Sequence, residues 1–188
     1  MKSINIHNKL LNQCKKGNSK AQFEIYKLYY KAMYNVSLRI VQNINDAEDV
    51  MQDSFLSAFS KLNYWSQEVA FGAWLKKIVI NKSLDLLKKK KLETVDIDER
   101  LNVLDDNIEN SEEQIQIKID VIKQIVSELP EKYRNVTTLF LFEGLTHNEI
   151  SEILEIKPET SRIRFMRAKE LIVKVPELNK QFNDVFLN

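Results

Sequence analysis

The chain has 188 residues, 44% hydrophobic and 29% charged, with only 3 Gly and 3 Pro, where average usage gives about 22 such residues. That scarcity of turn formers argues against a sandwich or barrel and makes an all-α architecture the expectation. No run of 18 apolar residues offers a membrane span, the first residues lack a signal-peptide core, and a single Cys forms no internal disulfide, so a cytoplasmic protein is expected.

The formal net charge of +1 hides strong segregation. Residues 76–91 carry seven lysines against Asp85, residues 92–120 carry ten acids against two bases, and residues 157–174 carry six bases against two acids. Two basic islands flank one acidic stretch, a pattern that suits two contacts with a polyanion. The acidic stretch has few large side chains and no sustained apolar period, and reads as a linker over residues 92–110. A solvated acidic helix is the alternative there.

Helical signals lie on both sides. Ser19 with Gln22 reads as a capping-box start, followed by Phe23, Tyr26, Tyr30, Met33 and Ile40 on one stripe. A second helix starts at Asp46 and buries Ala47, Val50, Ser54, Ala58 and Leu62. On its opposite face Asp49, Gln52, Asp53 and Leu56 recur at helical spacing, a stripe fit either for docking on a basic partner helix or simply for solvent. A loop over residues 63–69 precedes a third helix with Phe71, Trp74, Leu75, Ile78 and Val79. Tyr64, Trp65, Phe71 and Trp74 lead directly into Lys76, Lys77 and Lys82, and rings beside cations are what unpaired bases need. Phe71 and Trp74 serve equally well as core.

Beyond the acidic stretch, Ser111 with Gln114 reads as the cap of a helix whose stripe is Ile115, Ile119, Ile122, Val126 and Leu129. Pro130 suits the first turn of the next helix, which ends near Gly144. Thr146 with Glu149 is another capping box, opening a short helix to about Leu154, and a last helix runs from Pro158 to Val175, where Pro176 stops it. Two such helices joined through Glu155 and Lys157 have the proportions of a helix-turn-helix. Ile150, Ile153, Leu154 and Ile156 meet Phe165, Ala168 and Ile172 in its core, while Arg164 and Arg167 lie near Thr160 on another face, placed for a major groove. His147 reads as an exposed first-turn residue, because no Cys, His or acidic cluster at ligand spacing accompanies it. No metal, no cofactor and no catalytic constellation is expected, so the chain reads as a binding protein and not an enzyme.

Three segments together carry a resemblance: FEIYKLYYKAMYNVSLRIVQNINDAEDVMQDSFLSAF, AFGAWLKKIVINKSLDLLKKKK and LPEKYRNVTTLFLFEGLTHNEISEILEIKPETSRIRFMRAKELI. In this order, on either side of a linker, they resemble the sigma-70 family of bacterial RNA polymerase initiation factors, specifically the small extracytoplasmic-function (ECF) group. The resemblance implies a region 2 domain over residues 1–91 and a region 4 helix-turn-helix domain over residues 111–188. It further implies core RNA polymerase (β′ clamp helices, β flap) and promoter DNA as partners, with an anti-sigma protein as a further one. Asp49, Gln52, Asp53 and Leu56 would then contact the clamp helices. The loop at 63–69, which contains Tyr64 and Trp65, would capture a flipped base of the −10 element, with Trp74 following it, while Lys76, Lys77, Asn81 and Asp85 line the −10 surface. Thr160, Arg162, Ile163, Arg164, Arg167 and Lys169 would read or anchor the −35 element. Three residues depart from the pattern: Ile80 stands where an Arg is common, Glu155 replaces a turn glycine, and Ile163 takes an often small or polar position. Ile163 would either touch a thymine methyl or pack inward. A free-standing helix-turn-helix regulator with an N-terminal interaction domain is the alternative function.

Overall fold

A computed structural model describes residues 7–93 and 113–174, with side chains described for 7–92 and 119–174. Among them are eight α-helices and no strand, divided between two compact units. The acidic stretch from residue 94 onward, Ser111 of the second capping pair, the side chains of Gln114 and Ile115, and Pro176 lie outside the described residues.

The first unit contains α1 (Asn8–Lys15), α2 (Ser19–Val41), α3 (Ile44–Ser60), a 3-10 turn (Leu62–Tyr64) and α4 (Phe71–Glu93). The cap of α2 falls one residue before the expected one: Asn18 accepts the Ala21 N–H at 3.1 Å, satisfying a helix-end donor that Ser19 was expected to take. Asn43 does the same for α3 through the Asp46 N–H at 3.0 Å, so that helix begins two residues ahead of Asp46. Only Gln42, in the left-handed region at φ +55°, and Asn43 separate the two helices.

α2, α3 and α4 pack mutually, and α1 lies against α2. The expected α3 stripe is buried, Leu62 included, and Met51 and Phe55 join it. The α2 stripe is rotated from expectation. Met33 and Ile40 are buried, but Ala21, Ile25, Val36 and Ser37 complete the inner face, while Phe23 is 58% exposed and Tyr30 is exposed too. Small and aliphatic side chains let three helices approach closely; the aromatics sit on the flank, where Tyr26 meets Phe55 at 4.9 Å and stacks on Tyr30 at 5.7 Å.

On α4, Phe71, Leu75, Val79, Ile80, Ser83 and Leu84 are all buried, a broad arc that a helix wedged between two others requires. The fully buried Ser83 hydroxyl lies 2.8 Å from the Val79 carbonyl and 3.1 Å from Ser37 Oγ. The Ser83 hydroxyl donates to the Val79 carbonyl, and the contact between the two hydroxyls links α2 to α4. The helix continues through Lys91 to Glu93, past the expected boundary.

The second unit contains α5 (Glu113–Ser127), α6 (Glu131–Leu141), α7 (His147–Leu154) and α8 (Pro158–Lys174). Val126 of α5 and Leu129 just past its end are buried and Ile122 partly so, with Ala168, Leu171 and Ile172 of α8 packed on them. Ile119 is exposed, and Ile125, absent from the expected stripe, is buried in its place. Pro130 stands just ahead of α6 as its N-cap. Past its end, Gly144 adopts φ +70° and lets the Leu145 N–H reach the Leu139 carbonyl at 3.1 Å. A Cβ there would meet nothing within 4 Å, so the backbone angle and not space calls for glycine.

Candidate partner and nucleic-acid interfaces

The first surface is the outer face of α3. Asp49, Gln52, Asp53 and Leu56 are all exposed, and Leu56 is 69% exposed, a large apolar side chain left bare at the end of an acidic stripe. Asp53 forms an ion pair with Lys82 of α4, and Asp46 pairs with Lys90 at 2.5 Å. Two pairs thus bridge α3 to the basic helix, a connection that spacing within one helix cannot reveal.

The second surface is the segment from residue 62 to 70 with the start of α4, and here the two neighbouring aromatics part company. Tyr64 is 87% exposed, whereas Trp65 is 4% exposed. The Trp65 indole N–H donates to the Val69 carbonyl at 2.9 Å, and its ring packs edge-on to Phe71 at 5.6 Å and tilts against Trp74 at 6.4 Å. Trp65 therefore anchors the loop, and in this arrangement its face is not available to stack on a base. Trp74 is half-buried, and Phe71 is core. Lys77, Asn81 and Asp85 recur every four residues on the exposed side of α4, and Lys76 is half-exposed beside them. Ile80 is 1% exposed. It faces the core, so an Arg at this position would not reach a phosphate in this packing; the isoleucine fills the bundle instead.

The third surface is the α7–α8 pair. The capping box that opens α7 is complete: the Glu149 carboxylate accepts from the Thr146 N–H at 2.8 Å and from its hydroxyl at 2.7 Å, while the Glu149 N–H faces Thr146 Oγ1 at 3.3 Å. Glu155 ends α7 at φ +54°, the left-handed conformation in which a β-carbon carries a steric cost. Ile150 and Ala168 are fully buried, but Ala168 serves the α5–α6 side, and Phe165 packs on Phe140 of α6 at 4.6 Å.

His147 is not the exposed residue expected. Its ring stacks on Phe140 at 4.7 Å and its Nδ1 shares a 2.9 Å hydrogen bond with the fully buried Ser161 hydroxyl of α8. Partial burial, reinforced by the Arg162 charge, pushes its pKa below the ordinary 6.5. The imidazole thus ties α6, α7 and α8 together.

Along α8, Arg162, Ile163, Arg167 and Lys169 are exposed and Thr160 and Arg164 half-exposed. At 49% exposure Ile163 does not pack inward. Arg162 pairs loosely with Glu159 at 3.6 Å, and Lys169 Nζ lies 5.3 Å from the Phe165 ring centroid. The Arg167 guanidinium hydrogen-bonds the Tyr133 phenol and, with Lys132 adding to it, holds that hydroxyl below its ordinary pKa despite partial desolvation. Among the described residues no group of three His, Cys, Asp or Glu is placed to hold a metal ion, and no helix is long and apolar enough to cross a membrane.

Residues 25–93 match the family model for Sigma-70 region 2, and residues 119–172 match that for Sigma-70 region 4. The chain belongs to the sigma-70 family, in its ECF group. It is similar to the ECF RNA polymerase sigma factor SigW of Bacillus subtilis, 28% identical over 88% of this chain and 94% of that one. It is also similar to SigM of the same organism, 27% identical over 86% and 97%, and to the RNA polymerase sigma-H factor of Pseudomonas aeruginosa, 28% identical over 88% and 91%. Among solved structures, the fold resembles CnrH in complex with the cytosolic domain of CnrY, with TM-score 0.53, 20% identity and coverage of 93% and 96%. It also resembles RpoE of Bartonella quintana in complex with the anti-sigma factor NepR, with TM-score 0.57, 16% identity and coverage of 87% and 95%. As an ECF sigma factor the chain is an alternative sigma factor that directs transcription initiation, with core RNA polymerase and promoter DNA as its partners. The family is one of initiation factors and not of enzymes.

Two features escaped the sequence reading. α1 lies ahead of the matched region, and its buried pair Leu11 and Cys14 is too short a stripe to register as a period. The His147–Ser161 bond joins residues 14 positions apart, beyond the reach of any local pattern.

Proposed function

We propose a division of labour among the three surfaces. Asp49, Gln52, Asp53 and Leu56 dock on the β′ clamp helices of core polymerase, the carboxylates pairing with cations and Leu56 entering an apolar site. Tyr64 and the 63–69 loop capture a flipped base of the −10 element, with Trp74, Lys76, Lys77, Asn81 and Asp85 along the strand. Thr160, Arg162, Ile163, Arg164, Arg167 and Lys169 engage the −35 element, and the second domain also meets the β flap. The domains are the region 2 domain, whose last helix runs to Glu93, and the region 4 domain over residues 111–188, joined by the acidic segment between them. The chain itself performs no covalent chemistry, acts at the nucleoid, and is open to restraint by an anti-sigma protein.

The observation that supports this most is that the first unit exposes both an acidic stripe on α3, ending in bare Leu56, and a Lys77, Asn81 and Asp85 face on α4. The carboxylates of the stripe offer charge to a basic partner, and Leu56 at its end offers apolar surface. Co-purification with core polymerase, then runoff transcription from promoter fragments, tests the reading. Promoter-specific transcripts that require the chain are expected. Specific DNA binding without any affinity for core would instead mark a free-standing regulator.

A further inference from the structure

α1 stands outside the region 2 match, which begins at residue 25, yet it is built into the wall of the 63–69 loop. Leu11 is 1% and Cys14 3% exposed, and burial pushes the Cys14 thiol pKa up, against a weaker backbone hydrogen bond, so it packs as a neutral core group. Gly17, at φ +77°, turns the chain sharply into α2, and α1 packs on the 3-10 turn that carries Tyr64. A ladder of edge-on rings completes the brace: His7 on Tyr29 at 5.9 Å, Tyr29 on Phe71 at 5.4 Å, Phe71 on Trp65 at 5.6 Å. At the end of α1 the Lys15 ammonium sits 5.8 Å from the Trp65 ring centroid. The exposed Lys61 opens the same turn and Lys16 follows Lys15, whereas the loop itself carries one acid, Glu68.

We propose that Lys15 is a phosphate contact for the single strand held at the 63–69 loop, so that α1 extends the strand-capturing surface beyond region 2. The inference rests on the reading of that loop as the base-capturing element. A ring beneath the ammonium holds it in place without neutralising it, which leaves the charge for a backbone phosphate. Lys15 is a nucleic-acid contact of a different kind from Tyr64: it contributes charge and no base preference.

The test uses the full chain assembled with core polymerase and a fluorescent non-template-strand oligonucleotide carrying the −10 sequence, titrated across salt concentrations. Lys15→Gln is expected to weaken binding several-fold at low salt and to make the slope of log K against log salt shallower by about 0.7, the value for one phosphate contact on a single strand. Lys15→Arg is expected to keep the parent slope. An unchanged slope with Lys15→Gln overturns the proposal, and a lowered melting temperature with that unchanged slope shows Lys15 to be only a prop for Trp65. Tyr64→Ala is measured in parallel. If it leaves binding of the oligonucleotide untouched, the loop reading fails and the location proposed for Lys15 falls with it; if Tyr64→Ala weakens binding while Lys15→Gln does not, the proposal alone fails.

Discussion

Tyr64 and Trp65 are adjacent in sequence and opposite in circumstance, and their substitution separates folding from function. Trp65→Ala removes a buried indole and its hydrogen bond to the Val69 carbonyl, and is expected to cost about 3–5 kcal/mol of stability in the first unit. Tyr64→Ala, on a side chain almost wholly in solvent, is expected to change stability by no more than about 0.5 kcal/mol and the melting temperature by no more than about 2–4 °C. It should nonetheless lower open-complex formation, since stacking on a base is worth about 1–3 kcal/mol. Thermal melts beside open-complex assays check both, and a pre-melted bubble should lessen the Tyr64→Ala defect.

His147 makes a pH-dependent contribution whose sign follows from its depressed pKa. The folded state holds the proton less tightly than the unfolded chain, so the neutral ring's stabilisation is fully present above 6.5, the ordinary imidazole value, and is lost as pH falls from there through the folded pKa. The difference in melting temperature between the parent and His147→Gln should therefore shrink between pH 7.5 and 5.5, over about two units. A constant difference across that interval would remove His147 as the titrating group.

At the scale of elements, what could be read from sequence was what local chemistry decides. The Thr146 and Glu149 capping box is present because both partners lie within one turn, and α3 buries its expected face because the opposite one carries Asp49, Gln52 and Asp53. On α2 five aromatic rings make a second, equally periodic face, and only the approach of α3 and α4 selects Ile25 and Val36 over Phe23 and Tyr30. Ser19 lost its capping function to Asn18 for a similar reason, since both are good caps and the turn at Gly17 presents Asn18 first. Among the proposed site residues, exposure of the α3 stripe followed from helical spacing, whereas the burial of Trp65 depended on rings from α4 and a cation from α1.

The α8 helix presents two kinds of cation, and they should behave differently on DNA. Arg164→Ala is expected to cost roughly 1–3 kcal/mol on the best −35 sequence and to relax preference at one base position. Lys169→Ala should weaken all sequences alike and make the salt dependence shallower by about one. A binding series over single −35 substitutions reads both; equal losses for Arg164→Ala across every sequence would reduce α8 to a non-specific anchor. Ile163→Ser should spare stability, its side chain being half in solvent, while lowering discrimination for thymine.

For the whole molecule, near-neutral net charge conceals a chain organised by sign: an acidic stripe on α3, a basic α4 paired to it through Asp53 and Lys82, and a basic α8. In the Asp53–Lys82 pair the carboxylate is largely in solvent, so the pair adds little to stability, and the acidic stripe can be altered without unfolding its helix. That makes docking the most direct point of test. The measurement is the affinity of the full chain for core RNA polymerase, parent against Asp49→Arg with Gln52→Ala, with circular dichroism on both and runoff transcription from the same promoter. Tight binding and promoter-specific transcripts are expected for the parent, and for the variant an unchanged fold, affinity reduced at least tenfold and transcripts reduced with it. A folded variant that binds core polymerase and initiates as well as the parent would contradict the assignment of the α3 stripe as the docking face.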